Sequence, residues 1–165
     1  MQDKTSSNLT LIGRAERIDL PKHNLSEVPA KIDTGADSSS IWGSDIKETP
    51  AGLEFALFGP GSQFYTGERL LLGPEDFDVT RVANSFGDKE IRYKVKLTVR
   101  VKGRLMKGSF TIADRSAKTY PILLGRKLLS GKFVVDVKAG EPLSREERAK
   151  KARLEEDLKE IRGKG

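Results

Sequence analysis

The chain has 165 residues, of which 36% are hydrophobic and 33% charged, and its 30 Lys and Arg outnumber 24 Asp and Glu for a net charge of +6. That length suits one domain with a sizeable core, and no apolar run approaches the roughly 18 residues that a membrane-spanning helix needs. The absence of cysteine excludes disulfides and thiol catalysis, and the interspersed charges fit a solvated surface better than a nucleic-acid module.

Residues 1–11 are too polar to supply the apolar stretch of a signal peptide, and with no cysteine the expected setting is the reducing cytoplasm. Strands are predicted over residues 9–18 and 28–32. The second ends in Asp33-Thr34-Gly35, after which Ala36, Ser38, Ser39 and Ser40 form a tract of small residues. A strand over 53–58 is followed by Gly-Pro pairs at 59–60 and 73–74, which mark a long irregular connection. The clearest strand is 91–101. There Ile91, Tyr93, Val95, Leu97, Val99 and Val101 alternate with polar residues, the period of a half-buried strand. Lys102-Gly103-Arg104 turns the chain, and residues 106–113 return as the hairpin partner. Strands over 121–124 and 133–137 flank a short helix over 126–130.

Composition changes after Pro142, which divides the chain into a body of residues 1–142 and a charged helical extension of residues 143–165. Ser144-Arg145-Glu146-Glu147 has the form of a capping box, with Ser144 as N-cap and Glu147 three residues on. Residues 148–161 are rich in helix formers, and Leu154, Leu158 and Ile161 share one face of a weakly amphipathic helix.

A carboxylate at the end of a buried strand is costly unless it is paired, hydrogen-bonded or put to use. Alone, Asp33-Thr34-Gly35 also fits an Asx-turn. Its surroundings favour chemistry, because the apolar lead-in of residues 28–32 and the small residues that follow have the form of an aspartic protease's active loop. There the strand brings the carboxylate to the base of a cleft and the glycine lets backbone approach backbone. No metal site and no cofactor are expected. Zinc catalysis needs about three protein ligands, whereas His23 is the single histidine, and a Gly-rich, Lys-bearing phosphate loop is missing.

A second stretch, Tyr120-Pro121-Ile122-Leu123-Leu124-Gly125-Arg126-Lys127-Leu128-Leu129, resembles the retropepsin segment in which apolar residues and a glycine precede an arginine-led helix. Together with residues 82–92 and 111–116, it makes the chain similar, over roughly residues 10–138, to a bacterial retropepsin-like aspartic endopeptidase family. That family was historically labelled a putative ATP-dependent zinc protease, and its genes often accompany glutamate ligases that act on ribosomal protein. The resemblance implies a mainly β, retropepsin-like (acid protease) closed β-barrel, with a short helix after Gly125 and a C-terminal helix. It implies Asp33 as the catalytic residue, supported by Thr34, Gly35 and Ala36. Ile122, Leu123, Leu124 and Gly125 pack against that loop, and Arg126 pairs with Asp37. Asn84, Ser85, Phe86, Gly87 and Asp88 form a flap.

Aspartic proteolysis needs two carboxylates that share a proton. With one Asp-Thr-Gly, the economical solution is a homodimer that brings two copies of Asp33 together; Asp114 and Asp136 lack the following Thr/Ser-Gly. The expectation is therefore an aspartic endopeptidase acting on polypeptides, glutamate-tailed or otherwise acidic ones among them. The alternatives are a non-catalytic peptide-binding or assembly module and a ribosome- or RNA-associated basic protein. The Asp37–Arg126 pair is expected to contribute more than the roughly 0–1 kcal/mol of an exposed ion pair.

Overall fold

The alternating run becomes the longest strand, β8 (Lys89–Val101), with Val95, Leu97, Val99 and Val101 buried. The computed structural model describes residues 8–83 and 86–164. β8 turns through Lys102 and Gly103, both at positive φ (49° and 79°), into β9 (Arg104–Ala113). A two-residue turn of this kind matches the right-handed twist of the strands it joins. On its other edge β8 pairs antiparallel with β7 (Phe77–Ala83), so Phe77–Ala83 and Lys89–Val95 make the arms of a long hairpin.

The remaining strands are β1 (Thr10–Ile12), β2 (Ala15–Leu20), β3 (Leu25–Ile32), β4 (Ser39–Thr49), β5 (Gly52–Leu57), β6 (Arg69–Leu72), β10 (Ile122–Leu124) and β11 (Phe133–Val135). The helices are α1 (Arg126–Leu129) and α2 (Ser144–Gly163). The chain is mainly β, and its strand pairings run β10-β3-β2-β8-β9-β4 and return to β10. This ring is thin at β2–β8, where the register contains the single pair Asp19↔Arg100. β10 is inserted between β3, to which it is parallel, and β4, to which it is antiparallel. Inside lie Phe55, Phe58 and Phe110, each fully buried, with Ile18, Leu20, Ile41 and Ile122.

Several boundaries differ from those predicted. The strand over 9–18 is broken at Gly13-Arg14, because its first part pairs with β11 and its second with β3. A Cβ on Gly13 would lie 2.1 Å from the Ala139 carbonyl oxygen, so the crossing chain needs a glycine there. Residues 39–49 form a strand that the sequence did not announce. The long connection contains β6 and β7, and its irregular parts are residues 58–68 and the short turn at 73–76. The last body strand stops at Val135, after which Asp136 N–H bonds to Ile12 O.

The capping box is not formed. Leu143 occupies the N-cap position, Ser144 is already helical, and no side chain caps the helix. α2 buries none of its residues, and Leu154, Leu158 and Ile161 are 54%, 52% and 69% exposed. Among the described residues no helix is long and apolar enough to cross a membrane.

The fully buried Phe110 ring, set in β9 at the centre of the pairing, leads to a sharp expectation. Phe110→Ala should cost about 3–5 kcal/mol through lost transfer energy and the cavity left behind. Leu105→Ala, on the same strand but 59% exposed, should change stability by less than about 0.5 kcal/mol. Urea unfolding of the two variants provides the comparison.

Candidate active site

Val28, Ala30 and Ile32 of β3 face the core, and the strand ends by delivering Asp33 to the surface of the sheet. The Asp33 N–H donates to Leu124 O at 2.9 Å, which continues the parallel pairing of β3 with β10 one residue further. The Gly35 N–H donates to Asp33 Oδ1 at 3.0 Å, and the Ala36 N–H to Asp33 O at 3.3 Å. Asp33 is half-buried, while Thr34 and Gly35 are exposed. The loop thus presents its carboxylate and threonine on an open face.

α1 is seated on this loop. The Arg126 N–H donates to Ala36 O at 2.7 Å and the Lys127 N–H to Asp37 O at 3.2 Å, so loop carbonyls satisfy amides that a helix start leaves free. The Gly125 N–H donates to Ser39 Oγ at 3.0 Å. A Cβ on Gly125 would lie 2.5 Å from Ser38 O and 2.8 Å from Ala36 O, so the close approach requires glycine. Ile122 and Leu124 are buried beneath, and Leu123 is partly exposed.

Arg126 and Asp37 form an ion pair. Their side chains are 61% and 63% exposed, which places the pair in the range of about 0–1 kcal/mol, below the contribution anticipated from the sequence. Of the flap residues, Asn84 and Ser85 lie outside the described residues. Phe86, Gly87 and Asp88 are exposed at the tip of the β7–β8 hairpin, Phe86 at 89%. Asp114 accepts from Ser116, whose side chain first and backbone N–H second hold its carboxyl below the usual range, and Asp136 accepts from Lys138 N–H. Each belongs to a turn of its own. His23 lies half-buried in the short turn Pro21–His23, where burial lowers its pKa.

A second cluster adjoins the Asp33 loop, and the sequence reading did not foresee it. Arg14 Nη1 donates to both oxygens of Glu147 at 3.0 Å, and Tyr120 OH donates to Glu147 Oε1 at 2.8 Å. Leu143 N–H in turn donates to Tyr120 OH at 2.8 Å. Arg14 O accepts the Ile32 N–H at 3.0 Å, which pairs the Arg14 backbone with the residue before Asp33. Burial works to raise the Glu147 carboxyl, but the bonds from Arg14 and Tyr120 and the charges of Arg14 and Lys31 outweigh it and hold the carboxyl below its ordinary value. Burial raises the Tyr120 phenol. Arg14 and Glu147 are 133 positions apart, and only the local capping-box spacing around Glu147 was visible in the sequence. A groove of about 430 Å³, lined in part by Pro29, Trp42, Phe64, Lys118 and Leu143, runs beside the cluster.

Two outcomes follow from this geometry. Gly125→Ala should destabilise the protein by about 1–3 kcal/mol, because rigid carbonyls rather than a flexible side chain must yield; thermal unfolding reports it. The folded-state pKa of Glu147 is depressed, so its stabilising contribution is full above the ordinary carboxylate value of 4.5 and is lost as pH falls through the lower folded value. Melting curves of wild type and Glu147→Gln should therefore differ at neutral pH and converge in acid.

The chain is similar to known proteins in three respects. The family model described as "RimB-like: Retropepsin-like aspartic endopeptidase RimB" matches residues 72–151, from the end of β6 into α2. A "Probable alpha-L-glutamate ligase" of Shewanella pealeana is 28% identical over 137 residues, which is 79% of this chain and 29% of that protein. One of the same name from Desulfotalea psychrophila is 23% identical over 128 residues, 76% of this chain and 28% of that protein. The chain thus spans less than a third of the length of these relatives. A crystal structure of a Legionella pneumophila protein with unknown function (DUF785) shares the fold, with a TM-score of 0.59 at 24% identity over 79% of this chain and 95% of that one.

Proposed function

We propose that this chain, similar to the retropepsin-like endopeptidases over residues 72–151, is itself an aspartic endopeptidase that works as a homodimer. The observation that carries this reading is the Asp33-Thr34-Gly35 loop, held rigidly from behind by β10 and α1 yet open in front. A carboxylate that works in pairs must lie where a two-fold copy can reach it.

In this reading two Asp33 side chains meet on the symmetry axis and share one proton, because like charges about 3 Å apart cannot both ionise. The ionised member takes a proton from water as that water attacks the scissile carbonyl. The protonated member hydrogen-bonds the carbonyl oxygen, and proton return to the leaving amine completes hydrolysis. Thr34 of each copy bonds across the pair, the ring of six strands serves as the acid-protease barrel, and Phe86, Gly87 and Asp88 at the hairpin tip close over the substrate. Residues 1–142 form the peptidase unit and residues 143–165 an appended helix, and the enzyme works in the cytoplasm.

Acidic, glutamate-bearing polypeptides are the proposed substrates. Two observations support this: the matched relatives carry the name of a glutamate ligase, and the chain carries a net charge of +6. The test is cleavage profiling by mass spectrometry on a peptide library that includes glutamate-tailed sequences. Asp33→Asn should abolish cleavage while circular dichroism and sedimentation remain those of the wild type. Cleavage that persists in the folded variant would rule out this mechanism.

A further inference from the structure

Glu147 is held as a bound ligand would be held. Its carboxylate receives a charge-assisted bond at each oxygen and a hydroxyl bond besides, the arrangement by which proteins recognise carboxylates. The donors come from separate stretches of the body, and the body fixes each of them. Arg14 is locked through its own backbone, its N–H bonded to Ala139 O at 3.1 Å and its carbonyl to Ile32 N–H. Tyr120 is 5% exposed, and its carbonyl accepts from Arg115 Nε at 2.9 Å. The Arg14 and Glu147 side chains are 44% and 29% exposed, so the site opens to solvent.

α2 contributes little else to its own attachment. It buries no residue, and its apolar stripe is bare. Glu147 forgoes the capping-box role that its spacing offered and reaches into the body instead. A carboxylate site beside the Asp33 loop is thus filled by a glutamate on a lightly held helix.

We infer that Arg14 and Tyr120 form a subsite for a carboxylate side chain of an acidic peptide, and that Glu147 is its internal occupant, so that α2 competes with substrate. This builds on the peptidase reading, since the subsite serves peptides lying across Asp33. Binding itself does not require catalysis, so the two can be tested apart.

The experiment is a fluorescence-anisotropy titration of labelled hexaglutamate with the full chain carrying Asp33→Asn. Adding Glu147→Ala should tighten binding by about tenfold, the gain expected if the helix occupies the site about 90% of the time. Glu147→Gln, which keeps the shape of the side chain, should act in the same direction. Adding Arg14→Ala to Glu147→Ala should remove the gain, and a hexaglutamine peptide should show none. In the protein with Asp33 intact, Glu147→Ala should lower KM for a glutamate-bearing substrate more than for a neutral one. Unchanged or weaker hexaglutamate binding in Glu147 variants of unaltered helix content would overturn the inference, as would an equal gain for hexaglutamine. A purely structural staple would leave the glutamate preference where it was. Cleavage that ignores Asp33→Asn would sink the peptidase reading while leaving the binding result to stand.

Discussion

The candidate site depends on one close contact, that of the Gly125 backbone with the carbonyls of Ser38 and Ala36. A side chain at position 125 would sit at 2.5 Å from one and 2.8 Å from the other. With glycine, α1 can start directly on the loop, and its first amides are satisfied by loop carbonyls rather than by water. That bonding turns the loop's carbonyls inward. Its outward edge is left to Thr34, Gly35 and the Asp33 carboxylate. Ser39 extends the arrangement, with Oγ accepting from Gly125 N–H and its carbonyl accepting from Thr111 Oγ1 of β9.

Strand pairing turns this local contact into a rigid platform. β10 is short, but it is hydrogen-bonded on both edges, to β3 and to β4. Asp33 therefore sits at the end of a strand whose neighbour cannot slide without breaking two ladders. β9 pairs with β8 over Lys94–Val101, which supports the base of the β7–β8 hairpin as it extends past the end of β9. A rigid base below a projecting hairpin is the division of labour that a substrate cleft needs.

Charge is used differently at two places in the molecule. The Asp37–Arg126 pair is exposed on both sides, so solvent screens it and it contributes more to orientation than to stability. The Glu147 carboxylate is less exposed and has three donor contacts from two residues, and their combined effect exceeds the cost of its partial burial. This difference explains why the helix end gives up its own cap. A glutamate turned back on its helix would gain one backbone bond, whereas Arg14 and Tyr120 offer a charged donor and a hydroxyl.

The sequence by itself determined the elements whose signal is local. The alternation of residues 91–101 specified β8, Lys102-Gly103 specified the turn, and the apolar run before Gly125 specified β10 and the helix after it. The family resemblance rested on the Asp33-Thr34-Gly35 loop as well as on residues 82–92, 111–116 and 120–129, and the family model matches residues 72–151. What tertiary structure decided is non-local. β4 was not legible because Ser39, Ser40, Gly43 and Ser44 have no strand character of their own, and they extend only because β5, β9 and β10 offer partners. The first strand broke because residues 139–140 cross it at Gly13. Glu147 looked like a cap because the pattern four residues long was visible, while its true partner lay 133 positions away. A hydrogen-bonding side chain takes the best donors that folding brings within reach, and a linear sequence reveals only the nearby ones.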